Sequence, residues 1–170
     1  ATEPVFLNVE ITTRCNARCP HCARFISGRD DQADMTPEAF ARLLDLLPHA
    51  YRVTLVGLGE PLLHPQVVDF VREVARRGRR PALVTNGSLL APALSEELFD
   101  AGLRSIAFSL DALSPKSEEL RPGPPVEEIL NNIRGFMRLA ARDRTVSTAI
   151  FSALSPRNLD QIEPLADMAL

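Results

Sequence analysis

Apolar runs of strand length alternate with helical patterns along the whole chain, and this alternation restricts the fold more than any other feature. The runs lie at 5–11, 51–57, 80–85, 104–110 and 145–151 and are rich in Val, Ile, Leu and Phe. Near-continuous apolar composition of this kind marks strands of a buried parallel sheet. Between them, Thr36 followed by Pro37 supplies an N-cap and a first helical residue for a helix over 37–47, with Phe40, Leu43, Leu44 and Leu47 on one face. Helical spacing over 65–77 stops at Gly78, and over 92–101 at Gly102, each glycine standing where a helix C-terminus favours one. A fourth pattern covers 126–141, with Ile129, Leu130, Ile133 and Phe136 in its stripe, and a last helix begins near Asn158. Regular β-α alternation with right-handed crossovers predicts an α/β fold, either an open doubly wound sheet or part of a barrel.

With 170 residues, 45% of them hydrophobic, there is enough chain for one domain with a substantial core. A net charge of −3 gives no electrostatic case for nucleic acid. The cluster Arg76, Arg77, Arg79 and Arg80 reads as a solvated helix end whose cations complement the macrodipole. No apolar run approaches the ~20 residues of a membrane span. Unpaired thiols suit a reducing compartment, so a cytoplasmic location without membrane or nucleic-acid partners is expected.

The residues that carry chemistry lie at or just after the carboxyl ends of the strands, where α/β folds gather their ligands. Cys15, Cys19 and Cys22 follow the first strand and are the only three cysteines in the chain. A structural zinc site and a simple electron-transfer cube each use four protein ligands, so three thiolates in one loop imply a metal centre with an open position. Compact spacing and soft ligands favour iron and sulfur over zinc completed by His21. A Cys19–Cys22 dithiol is a further alternative, which would leave Cys15 over. Gly57-Leu58-Gly59-Glu60-Pro61 follows the second strand, Thr85-Asn86-Gly87 the third, and Ser109-Leu110-Asp111 closes the fourth. Taken singly, these runs are turns with an exposed acid, and Arg121 is a solvated loop cation. His49 and His64, near helix ends, read as structural.

The spacing Cys-x3-Cys-x2-Cys, with aromatic His21 before the last cysteine, resembles the cluster loop of the radical S-adenosylmethionine (radical SAM) enzymes. Gly59-Glu60-Pro61 resembles the family's Gly-Gly-Glu-Pro motif, with Leu58 standing where its first glycine is usual. Thr85-Asn86-Gly87 and Ser109-Leu110-Asp111 are similar to the family's runs after the third and fourth strands. The resemblance implies that Cys15, Cys19 and Cys22 hold three irons of a [4Fe–4S] cluster whose fourth iron is chelated by S-adenosylmethionine. It implies that Gly59 and Glu60 receive the methionyl ammonium, that Thr85 and Asn86 lie beside the cofactor, that Ser109 reaches its methionine or ribose part, and that Arg121 pairs with its carboxylate. Asp111 is expected to brace the loop.

The fold so implied is a partial (β/α)6 TIM-type barrel of which residues 1–170 form the core domain, with five units present and a sixth strand expected beyond Leu170. The implied activity is reductive cleavage of S-adenosylmethionine to a 5′-deoxyadenosyl radical that abstracts hydrogen from a substrate. A reducing partner such as flavodoxin or ferredoxin is implied, with a peptide or a small molecule as substrate. The form Gly-Leu-Gly-Glu-Pro-Leu-Leu-His-Pro favours a peptide-modifying enzyme of the SPASM or twitch type. Two other classes remain open: an iron–sulfur electron-transfer or cluster-carrier protein, which would not need Glu60, Ser109 and Arg121, and a zinc-stabilised α/β binding module.

Overall fold

Five parallel strands pair in the order β1 (Phe6–Val9), β2 (Arg52–Leu55), β3 (Arg80–Thr85), β4 (Ser105–Ser109) and β5 (Ser147–Phe151) in a computed structural model that describes residues 4–28 and 32–169. Spatial order therefore equals chain order. A doubly wound sheet reverses its order at a switch point, whereas unreversed order with crossovers of one hand stacks every helix on one face and curls the sheet toward a barrel. The barrel alternative is the one realised.

The intervening helices are α1 (Ala23–Ile26), α2 (Pro37–Leu46), α3 (Val67–Arg76), α4 (Pro92–Asp100), α5 (Lys116–Leu120), α6 (Val126–Ala140) and α7 (Ile162–Ala169). Thr36 caps α2 by accepting the Ala39 N–H at 3.2 Å, and Gly78 and Gly102 leave α3 and α4 with φ of +71° and +95°. The expected helix over 65–77 starts later, at Val67, because a short 3-10 turn at Pro61–Leu63 occupies the approach. Neither α1 nor α5 was legible from periodicity, each being a single turn or little more.

Strand side chains alternate between two faces. Val53, Leu55, Leu83, Ile106 and Phe108 point to the helix layer and are buried, while Phe6, Asn8 and Arg52 on the other face are exposed. Phe40 of α2 stacks on Phe70 of α3 with ring centroids 4.4 Å apart, and His64 lies 4.7 Å from Phe70. The His64 ring is a structural tie, as expected. Its Nδ1 accepts the Gln66 N–H, so Nε2 carries the proton and donates to the Met35 carbonyl, both at 3.0 Å. No described helix is long and apolar enough to cross a membrane.

The arginine cluster differs from its sequence reading. Instead of a merely solvated helix end, Arg77 joins Glu73 of its own helix to Asp45 of α2, and Arg79 donates to the Leu44 carbonyl at 2.8 Å. Arg80 reaches the Thr145 carbonyl at 3.4 Å. Macrodipole arguments locate cations at a helix end but do not say that a neighbouring helix ends beside them. The Arg76 and Arg77 guanidinium groups hold the Glu73 carboxyl down at about 2. A carboxyl lowered on folding stabilises the fold above its ordinary pKa near 4.5 and loses that contribution as pH falls toward 2. Glu73→Gln should therefore be less stable than the parent in urea titrations at pH 7, with the difference shrinking steadily as pH is lowered from 4.5 through 2.

Candidate active site

Glu60 is buried above the sheet, 3% exposed, and its surroundings are polar without being cationic. Thr85 Oγ1 donates to Oε1 at 2.6 Å, the Leu62 N–H to the same oxygen at 3.1 Å, and the Asn86 N–H to Oε2 at 2.7 Å. Burial pushes the carboxyl up, and the three hydrogen bonds pull against it. Among the described residues no cationic side chain comes within ion-pair distance.

Glu60, Thr85 and Asn86 line one pocket of about 260 Å³ together with Cys15, Cys19 and Cys22, Ser109 and Arg121. The strand-end loops expected to converge do so, and the residues expected to meet the cofactor border this space: Gly59, Glu60, Thr85, Asn86, Ser109 and Arg121 with the three cysteines. All three thiols are free, and burial pushes those of Cys15 and Cys19 up. Among the described residues, no three His, Cys, Asp or Glu side chains are gathered closely enough for one metal ion.

The loop over 57–60 shows why one glycine of its motif is replaceable and another is not. A Cβ at Gly59 would stand 2.0 Å from the Thr12 carbonyl oxygen, a backbone atom that cannot turn away. At Leu58 the side chain is 42% exposed, so a leucine fits where the family usually has glycine. Glu10, at the end of β1, takes the Leu58 N–H at 2.5 Å and the Gly59 N–H at 3.2 Å through Oε1.

Several framework residues were not foreseen. Asn16, beside the first cysteine, donates to Ser88 Oγ and accepts from Asn86 Nδ2, both at 2.9 Å, joining the cysteine loop to the β3 loop. Asn132 of α6 donates to the Gly87 and Ser88 carbonyls at 3.1 and 3.0 Å. Their only sequence signal is an asparagine placed near other turn residues, which periodicity does not weigh. Arg121 departs from a solitary role: its Nε and Nη2 donate to Asp111 at 2.6 and 3.2 Å. Asp111 is the brace expected of it, 1% exposed, and also accepts the Ala153 N–H at 2.8 Å.

The model of the Radical SAM superfamily matches residues 9–169, and the chain belongs to that superfamily. It is 38% identical over 111 residues to the tungsten-containing aldehyde ferredoxin oxidoreductase cofactor-modifying protein of Pyrococcus furiosus, covering 64% of this chain and 31% of that protein. It is 27% identical over 169 residues to the AdoMet-dependent heme synthase of Methanosarcina barkeri, covering 98% of this chain and 47% of the synthase. The chain thus spans between about a third and a half of these relatives. Streptococcus suis SuiB, solved with S-adenosylmethionine bound, shares the fold with a TM-score of 0.80 at 19% identity, covering 97% of this chain and 37% of SuiB. The family is one of enzymes whose cofactors are a [4Fe–4S] cluster and S-adenosylmethionine.

Steric demand at Gly59 gives a direct check on this geometry. Gly59→Ala should lower thermal stability, whereas Gly135→Ala in the interior of α6, where an added Cβ meets nothing within 4 Å, should raise stability by about 0.5–1 kcal/mol. Paired thermal unfolding curves measure both.

Proposed function

We propose that the pocket holds a [4Fe–4S] cluster on Cys15, Cys19 and Cys22 with S-adenosylmethionine beside it, and that the chain is the core of a hydrogen-abstracting radical SAM enzyme. The observation that carries this reading is Glu60, a buried carboxylate with three neutral donors and no cation, facing the pocket that the thiols border. A ligand bringing an ammonium supplies the missing charge, and methionine's amino group is one. Three thiolates leave one iron of a cube open to that amino group and its carboxylate.

The chemistry the cofactors supply when bound is one-electron reductive cleavage of the sulfonium to a 5′-deoxyadenosyl radical, which takes hydrogen from a substrate. What the chain itself does is orient and enclose. Glu60 meets the ammonium, with Gly59 letting the backbone approach. Hydrogen bonds from Thr85 and Asn86 favour the ionised form of Glu60 against the effect of burial. Ser109 at the end of β4 stands at the methionine or ribose side, and Arg121 presents a planar cation to the carboxylate. Val56 and Val84 line both this pocket and a cavity of about 360 Å³ on the helix-free face of the sheet, which suits a substrate placed against the cofactor.

The substrate is a peptide or a small molecule, and electrons come from a flavodoxin or a ferredoxin in a reducing cytoplasm. Likeness to SuiB, one structure of which has precursor peptide SuiA bound, favours the peptide. An electron-transfer or cluster-carrier protein would have no use for a buried, uncompensated Glu60.

Anaerobic reconstitution tests the reading. The parent should turn brown and take up about four irons, and Cys15→Ala, Cys19→Ala and Cys22→Ala should each lose the cluster. Glu60→Gln should keep the iron and bind S-adenosylmethionine roughly tenfold or more weakly, since hydrogen bonds to charged groups contribute about 1.5–3 kcal/mol. Unchanged affinity in that variant would remove Glu60 from the cofactor site.

A further inference from the structure

Asp111 is buried at the meeting of three loops, and its partners are unequal. Its backbone oxygen accepts from Asn158 Nδ2 at 3.0 Å and its Oδ1 takes the Ala153 N–H at 2.8 Å, which tie the end of β4 to the segment after β5. Arg121 is the one charged group within hydrogen-bond reach of its carboxylate among the described residues, joined by Nε at 2.6 Å and Nη2 at 3.2 Å. His21 Nε2 is farther, 3.8 Å from Oδ2. Fork and carboxylate lie edge to edge, the geometry that fixes a guanidinium in both position and plane.

That hold has a direction. With Nε and one hydrogen of Nη2 turned to Asp111, the opposite edge of the fork has no protein acceptor among the described residues, and Arg121 lines the cysteine pocket. A long arginine on a loop would otherwise distribute itself over many rotamers, and ordering it on binding costs affinity. The residues after it are anchored too: the Pro122 carbonyl accepts the Arg18 N–H at 2.8 Å, and a Cβ at Gly123 would lie 3.1 Å from the Asn16 carbonyl oxygen. The guanidinium is thus presented from a segment docked on the cysteine loop itself.

We propose that Asp111 is a positioning residue: it holds Arg121 by one edge so that the other is preset for the carboxylate of S-adenosylmethionine beside the cysteine loop. This rests on the proposed cofactor site. Asp111 touches no part of the ligand, and its effect passes wholly through Arg121. It follows that its removal is felt by a ligand with a carboxylate and not by one without.

Equilibrium dialysis on the anaerobically reconstituted chain, with S-adenosylmethionine and decarboxylated S-adenosylmethionine as paired probes, tests this. Asp111→Asn should retain its iron, weaken S-adenosylmethionine about tenfold, and change the decarboxylated probe by less than about twofold. In an Arg121→Ala background, Asp111→Asn should add nothing. Arg121→Lys keeps the charge but cannot match a carboxylate with two parallel bonds, so it should show the same selective loss even where Asp111→Asn does not fold. Equal weakening of both probes, or unchanged affinity for S-adenosylmethionine, overturns the positioning role. If the parent binds neither probe, the cofactor site fails and this role with it. If the parent binds both but Arg121→Ala does not discriminate them, the site stands and the positioning role falls.

Discussion

The loops above the sheet are arranged around a single carboxylate. Glu60 hangs from the turn after β2, yet two of its three donors, the Thr85 hydroxyl and the Asn86 N–H, belong to the end of β3. Taking a carboxylate out of water is costly, and neutral donors offset only part of that cost, so the group remains pushed up toward its protonated form. A structural carboxylate could be exchanged for an amide and lose little. A buried carboxylate without a counter-charge is the group that the ammonium of the proposed ligand would compensate.

This demand explains the glycine beside it. To bring Glu60 under the β3 loop, the backbone passes so near Thr12 and Arg14 that the Glu60 N–H bonds the Arg14 carbonyl at 2.7 Å, and no side chain fits at position 59. Both contacts fall on the segment leading into the cysteine loop. The Glu60 turn and the turn leading to the cysteines are therefore one packed unit, and a displacement of either moves the other.

Much of this was legible in the sequence because it depends on local pattern. All five strands are found within the expected runs, since buried parallel strands are written as continuous apolar segments, and Pro37, Pro92, Gly78 and Gly102 mark their helix ends. The cysteine spacing and the strand-end turns pointed to the loops that border one pocket. What was not legible is pairing between segments distant in sequence. That Arg77 reaches Asp45, that Arg121 faces Asp111 and that Asn16 joins Asn86 and Ser88 are consequences of which loops the sheet order brings together. Even the choice between open sheet and barrel belongs here, because helical and strand periods carry no information on strand order.

Hydrogen bonds to the rest of the chain hold the cysteine loop at its entry, its middle and its end. Thr12 Oγ1 donates to Asp34 at 2.6 Å, and Arg14 bonds both Asp34 and the Leu63 carbonyl, at 2.7 and 2.8 Å, pinning the entry to the loop. Asn16 pins its first turn to the β3 loop, Arg18 its middle to Pro122, and the Arg24 Nε donates to the Thr13 carbonyl at 3.0 Å, closing the loop on its own start. Small zinc domains fold only as the metal binds, so the ordering of the chain is charged against metal affinity. For the cluster proposed on this loop, hydrogen bonds to a folded sheet would meet much of that ordering, and binding would have to deprotonate thiols, two of which burial holds toward their protonated forms.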